Sequence, residues 1–594
     1  MEWESSAACL FTQPPLLPFR SARSQCPDCQ APLQVNKTRT RTVSTLPIGA
    51  FTARETLLEC PECQNQTIYG SEDLNRLAPP HCNFGYDVMV FAGKGLFLRH
   101  RRAEELVAEL LEHNVRLSAS EVAYLGKKFI VYLALAHRQS APRLQTVLGQ
   151  KGGYIFHLDG TCEAGGPMLM SSLDSLSEIV LGNVKVPSEK TQELIPFLRE
   201  IKRPYGVPLA VVHDMGPGIL AAVKEVFPGV PDFICHFHFL RDLGKDLLES
   251  DYDAIRQRLR RYGVTEKLLS LARRLKGTLD QQPELVDSFC QSVQGESLPK
   301  EQLEPFPLLS AYSLIQWALA GKTQGQGYGF PFDRPLLEFA KRLRVLSERL
   351  EQIKDVHLRG QWEDNIPLFR LSCALQKLSA DRGLQKKIES IEGKIAVFDR
   401  LRDAMRIAPL DGSDGLNSGS ELVPMEPIKN AVQQFRQEII SRSDYPSTNH
   451  WKALIAQIDK YGDKLFADPI PVQTPHGPLL IQPQRTNNIM ERFFRDFRRG
   501  ARRKSGHNSI SRLLQTMLAD TPLVRNLENP QYLEVLLNGQ ATLEERFAQV
   551  DVDTVRKELR AAQISPERVP RKIRKLIALP TFPQKLCHLF QTAA

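Results

Sequence analysis

The chain has 594 residues, too many for one core, so several domains are expected. A formal charge of +9 and 42% apolar residues describe a globular protein with a mild basic bias, which suits a polyanionic partner without requiring one. Eleven scattered cysteines exclude a small disulfide scaffold, the N-terminus lacks a signal-peptide pattern, and the longest apolar run (129–136) is too short to span a bilayer. A reducing, intracellular setting without membrane is expected.

Residues 1–20 read as a flexible leader. Two knuckles follow, CPDC at 26–29 and CPEC at 60–63. Each places two thiolates on one side of a tight turn, so Cys26, Cys29, Cys60 and Cys63 form a tetrahedral sulfur set suited to Zn²⁺. The alternating segment between them turns at Pro47–Gly49 and predicts a hairpin, making 21–70 a zinc ribbon. Lys37, Arg39, Arg41 and Arg54 on that hairpin suit phosphate contacts, although solvated hairpins also carry charge. Over 71–150 the pattern turns helical. RRAEELVAELLEHN (101–114) and EVAYLGKKFIVYLALAHRQ (121–139), with Ser118 or Ser120 as cap, form a helical hairpin. A DNA-binding helix-turn-helix and a plain helical hairpin both fit.

At 153 the period changes. GYIFHLDGT (153–161), GGPMLMSSLDS (165–175) and EIVLGNVKV (178–186) predict a three-strand meander. A helix over 188–206, capped by Ser188, a strand over 207–216, a helix over 216–229 and a fifth strand over 231–240 follow. The order β-β-β-α-β-α-β-α is that of an RNase H-like α/β fold, whose first part is 151–240. Asp159 lies at or near the end of the first strand and Asp214 at the end of the fourth. Those strands are neighbours in such a sheet, so acids 55 positions apart would meet at one edge. Buried acids are costly unless paired or metal-bound. Glu163 and Asp174 are rival acids with poorer placement, and His157 and His213 would touch phosphate or pack.

Residues 241–474 are mainly helical and predict an insertion into, or elaboration beside, the core. The Gly-aromatic stretch QGQGYGFPFD (324–333) reads as a loop and DGSDGLNSGS (411–420) as a surface break. The core resumes at 475–515, where Thr486 or Asn488 caps a helix carrying Glu491 in or near its first turn. Arg485, Arg492, Arg495, Arg498, Arg499, Arg502, Arg503 and Lys504 surround that acid, a field that would draw in a phosphodiester backbone. Residues 516–594 read as a helical tail.

Three converging carboxylates, Asp159, Asp214 and Glu491, can hold two divalent ions, Mg²⁺ or Mn²⁺, for phosphodiester chemistry. Glu491 alone also fits an ordinary surface pair with Arg495. Cys235 and His238 either bind a metal or stabilise a turn, and lie on opposite strand faces unless the strand ends between them.

HLDGT (157–161), VVHDMGPGI (211–219), CHFH (235–238), TNNIMERFFRDFRR (486–499) and SGH (505–507) together resemble bacterial insertion-sequence DDE transposases of the broad Mutator-like group. The two cysteine pairs resemble the N-terminal zinc ribbon of some of them. The resemblance spans about residues 21–510. It implies that Asp159, Asp214 and Glu491 are the catalytic, metal-binding acids, and that a Cys-x-x-His element matches Cys235 and His238. It further implies that a helical domain separates the second acid from the third. It implies cutting at terminal inverted repeats of double-stranded DNA and joining to a target, by a homodimer or larger synaptic assembly associated with the bacterial nucleoid. An RNase H-like nuclease without strand transfer, a catalytically silent DNA-binding regulator and a zinc-containing assembly protein are the competing expectations.

Overall fold

The computed structural model describes residues 13–63, 67–164, 166–280, 284–294, 306–357, 366–409, 422–563 and 571–592. It is a mixed α/β architecture with a large share of helix. The expected break at 411–420 lies outside the described residues.

The N-terminal sheet comprises β1 (Leu16–Arg20), β2 (Gln34–Thr45), β3 (Gly49–Glu59) and β4 (Ile68–Tyr69). Strands β2 and β3 form the expected hairpin, and β1 pairs in parallel along the other edge of β3. The leader is therefore shorter than expected, since Leu16–Arg20 belongs to the sheet. Leu17 and Phe19 alternate inward onto Val43 and Phe51, a period that the neighbouring prolines obscure in the sequence.

Helices Ala103–Glu112 and Ala119–Gln150 form the predicted helical pair, and Ser118 caps the second in a capping box with Glu121. This second helix passes the expected end at Gln139 and runs through Pro142. Phe129–His137, Leu144 and Leu148 are buried in the same apolar cluster as the central sheet. Its exposed residues lie in the first turns, between Ser120 and Lys127, and again from Arg138 to Gln150.

The central sheet contains β5 (Ile155–Thr161), β6 (Met168–Asp174), β7 (Val180–Val186), β8 (Ala210–His213) and β9 (Asp232–Ile234), in the order β7-β6-β5-β8-β9. Strands β5, β6 and β7 are antiparallel, whereas β8 is parallel to both β5 and β9. Helix Thr191–Tyr205 starts after Lys190, with no side-chain cap, rather than at Ser188. The fifth strand is three residues long. At His236 the chain turns into a helix that reaches Arg261, burying His236, Phe239, Leu240 and Leu243 at helical spacing.

The helical block from this helix to Asn449–Tyr461 has its own apolar core, distinct from that of the central sheet. The expected Gly-aromatic loop between Thr323 and Pro335 closes onto it, with Phe332 stacked on Phe237 and Phe330 on Tyr252. The chain returns at β10 (Ile470–Thr474), five residues before the expected boundary. This strand forms a hairpin with β11 (Gly477–Ile481), and Val472 and Ile481 pack on Ile155, Ala210 and Val212. Helix Asn488–Ser505 then crosses to the sheet's own cluster through Ile489, Met490, Phe493 and Phe494.

The expected tail from 516 is core as far as residue 559. Tyr532, Leu536 and Phe547 are buried against the long helix, and Asn526 bonds both backbone groups of Val180. Past that point, helices Arg571–Ile577 and Phe582–Thr592 expose Ile573, Leu576, Leu589 and Phe590.

Candidate functional site

The sulfur cluster is built by the hairpin. Pairing of Gln34 with Glu59 brings the segments before β2 and after β3 to one end of the sheet. There the ligand atoms of Cys26, Cys29, Cys60 and Cys63 all lie within 4.8 Å of one another. The Sγ separations of 3.4 Å (Cys29–Cys60) and 3.6 Å (Cys26–Cys63) are close to the ~3.8 Å edge of a tetrahedron with 2.3 Å Zn–S bonds. Backbone N–H groups, that of Cys29 foremost, draw the Cys26 thiol down to about 6, whereas its sulfur neighbours push Cys63 up. A central divalent cation reverses that repulsion. The set fits zinc in count, chemistry and spacing.

The acids meet through sheet register. Ile155, Phe156 and His157 pair with Ala210, Val211 and Val212, each partner 55 positions on. The same offset carried two residues further sets Asp159 opposite Asp214. Asp159 is 9% exposed, and its Oδ1 accepts the Gly160 N–H at 2.7 Å. Asp214 follows β8, and its Oδ1 accepts the Gly216 N–H at 3.2 Å. Burial, then the charges of Asp214 and Glu491, push the Asp159 carboxyl up to about 8. Burial also raises Glu491, while Arg241 and Arg495 oppose the shift.

Asn487 places Glu491. It is fully buried, its Nδ2 donates to the Leu158 carbonyl at 3.1 Å, and its Oδ1 accepts from His157 Nδ1 at 2.8 Å. Its backbone N–H donates to Cys235 Sγ. The residue preceding the helix is therefore Asn487, not Thr486 or Asn488, and its side chain grips β5 instead of capping the first turn. That grip holds the helix bearing Glu491 against β5, close enough for the Glu491 charge to act on Asp159. Burial drops His157 to about 4, so it serves as a neutral packing group. His213 Nδ1 lies 2.5 Å from the Asp214 carbonyl oxygen; a carbonyl only accepts, so this nitrogen carries the proton.

The rival acids are engaged elsewhere. Asp174 accepts from the Ile155, Leu176 and Ser177 backbones, and Glu163 accepts from Ser509, Ile510 and Ser511. Among the described residues, the four cysteines are the group of three or more ligating side chains gathered within one ion's reach. The acids sit more loosely. A two-ion centre tolerates this, because its ions stand ~3.5–4 Å apart and do not share every ligand.

In CHFH the strand ends before both Cys235 and His238. Cys235 precedes the helix, donates its N–H to the His213 carbonyl and is buried; burial pushes its thiol up to about 12. It acts as a neutral acceptor that stabilises the turn. His238 Nε2 lies 3.6 Å from Glu491 Oε1, and burial lowers this imidazole to about 4.

The basic candidates separate. At 3.6 residues per turn, Glu491, Arg495, Arg498 and Arg502 share a helix sector about 60° wide. All four are exposed, and Arg498 reaches Thr161 Oγ1 at 2.6 Å. Arg492, Arg499 and Arg503 flank them, also exposed, and Lys37 is open on the ribbon. Lys504 is half-buried over the Phe97 ring. Three expected DNA contacts are engaged within the protein. Arg485 is 2% exposed and bonds His236 and the Met405 carbonyl. Arg39 pairs with buried Glu55 at 2.8 Å, and Arg41 donates to the Pro79 and Cys82 carbonyls. Local sequence does not distinguish such cations from surface ones.

A fourth acid, Glu189, was not marked by the strand pattern. It stands near Asp214 and adds to the shift of Asp159. No protein-family model matches the chain, and no curated protein matches its sequence.

Proposed function

We propose that the chain is a DNA transposase of the DDE type, with an RNase H-like core interrupted by the helical block and preceded by a zinc ribbon. The observation that carries the proposal is the shared 55-residue offset. It sets Asp159 opposite Asp214, the residue that follows the parallel neighbouring strand, while Asn487 anchors the start of the helix bearing Glu491 to the strand of Asp159. Burial and the charges of Asp214 and Glu491 raise Asp159, an arrangement that a cation relieves, and an all-oxygen donor set suits Mg²⁺ or Mn²⁺. Two such ions, held by Asp159, Asp214 and Glu491, would supply the charge that activates water and stabilises the leaving oxygen.

The chain's own residues bind and orient. The arginine stripe lies on the same helix sector as Glu491, so a phosphodiester backbone laid along it passes the acid. His157 and Asn487 fix the approach of that helix to β5. Hydrolysis breaks a P–O bond at a transposon end and leaves a 3′-hydroxyl. In joining, that oxygen bonds to a target phosphorus and the target's own 3′-oxygen departs. The DNA partners are terminal inverted repeats and target duplex, engaged by a homodimer or larger assembly.

A strand-transfer assay with the element's own ends tests this. Wild type gives joined product with Mg²⁺ or Mn²⁺, whereas Asp159→Ala, Asp214→Ala and Glu491→Gln bind ends without joining. Cleavage without joining by wild type identifies a nuclease. DNA binding indifferent to Asp214→Ala, with no metal-dependent product, identifies a silent regulator.

A further inference from the structure

The connection between β7 and helix Thr191–Tyr205 brings Glu189 to the side of Asp214. Glu189 Oε2 and Asp214 Oδ1 lie 3.2 and 3.4 Å from one point, the place a Cβ on Gly216 would take. A Cβ on Gly218 would lie 1.8 Å from the Glu189 carbonyl oxygen. Gly216 has φ −55° and ψ 122°, open to any residue, and Gly218 lies in helix Pro217–Val226, so neither position needs glycine for its backbone angles. Gly218 needs it for space, whereas a Cβ on Gly216 would only make the two carboxylates give by a few tenths of an ångström. The second glycine of DMGPG, Gly218, is the condition for the Glu189 backbone to approach. Thr191 Oγ1 donates to the Gly218 carbonyl at 3.4 Å and ties the connection down.

This approach puts like charges together. Among the described residues, Glu189, Asp214 and Asp159 have no Lys, Arg or His nitrogen within 4 Å, whereas Glu491 has His238 at 3.6 Å. Burial and the charge of Asp214 both raise the Glu189 carboxyl. Folding that sets a second, half-buried carboxylate beside Asp214 and supplies no protein cation leaves a place where a cation from outside would relieve the repulsion. We infer that Glu189 is a fourth carboxylate of this centre, sharing with Asp214 one of its divalent ions. The inference rests on the metal-dependent reading proposed above.

Mn²⁺ alone is the probe, added to the full-length, zinc-loaded protein and followed by electron paramagnetic resonance and by the Mn²⁺-induced rise in melting temperature. Glu189→Gln keeps size and hydrogen bonding. It is expected to weaken one Mn²⁺ site at least ~10-fold, the scale of losing a carboxylate from a metal's surroundings, and to shrink the Mn²⁺-induced rise. In buffer free of divalent ions it is expected to melt no lower than wild type, because a repulsion is removed; a merely structural glutamate would lower it. Unchanged Mn²⁺ affinity in Glu189→Gln, with binding lost in Asp214→Asn, overturns the role of Glu189 and leaves the metal-dependent reading standing. Wild-type Mn²⁺ binding that survives in both Asp159→Asn and Asp214→Asn overturns that reading, and this inference with it.

Discussion

Asn487→Ala is the sharpest test of how the third acid is held. Asn487 has no exposed surface, and its amide joins two buried groups, His157 Nδ1 and the Leu158 carbonyl. Truncation leaves both unpaired, and each orphaned buried group costs ~1–3 kcal/mol, or about 2–6 kcal/mol together. The loss is local, because the helical block has a core of its own. Hydrogen exchange is the appropriate assay, since a multidomain chain has no single unfolding free energy. Peptides covering β5 and the start of helix Asn488–Ser505 should exchange about 30-fold faster or more. Peptides from Arg382–Met405 and Glu426–Ile440 should not change. Strand transfer should fail although all three acids remain. Unchanged exchange at β5, or equal acceleration everywhere, would refute the claim that Asn487 locks the glutamate helix to the strand bearing Asp159.

Cys26→Ser should reduce zinc content by one ion per chain and expose the β2–β3 hairpin to protease while the central sheet stays protected; full zinc retention would remove Cys26 from the site. His137 is buried among Tyr532, Tyr205 and the Leu181 carbonyl, and burial lowers it from 6.5 to about 4. The unfolded chain therefore binds more protons between those values. The stabilisation is complete above pH 6.5 and is lost as pH falls toward and through 4, by about 3 kcal/mol. His137→Gln should flatten the melting-temperature decline over that window, and an unaltered slope would count against it. Replacing Arg495, Arg498 and Arg502 with Ala should lower the salt slope of DNA binding by up to about 2.7, at roughly 0.9 per phosphate contact. Arg485→Ala should leave that slope unchanged and lower stability, because Arg485 is buried.

Much of the sheet was legible because each strand changes the period of burial. The apolar runs before Asp159 and Asp214 are β5 and β8, and the 55-residue spacing of the acids is the register offset of those strands. FICHFHFL was not legible as a helix. It is apolar at both period 2 and period 3.6, and only its packing decides that His236 begins a helix. β1 was missed because prolines interrupt its alternation, and the C-terminal segment because short helices carry little periodicity of their own. Asn487 and Glu189 act through contacts hundreds or tens of residues away, which a local pattern does not encode. Glu189 did leave a trace: Gly218 sits in a helix whose angles do not demand glycine, and a Cβ there would strike the Glu189 carbonyl.

Arg485 changes what the helical block does for the site. As a surface cation it would have belonged to a DNA-binding field. Buried, it joins the segment leading to Glu491 to the block's edge: its carbonyl accepts the His236 N–H, its guanidinium donates to His236 Nδ1 and to the Met405 carbonyl, and His236 Nε2 donates to the Leu465 carbonyl. Met405 ends helix Arg382–Met405 and Leu465 lies just before β10, so both belong to the block's core. On the other side, Asn487, two residues after Arg485, holds β5. The three-residue segment Arg485–Asn487 therefore joins the two cores, and Glu491 follows within one helical turn of it. The position of the third acid depends on both bodies, whereas Asp159 and Asp214 are fixed by the sheet alone.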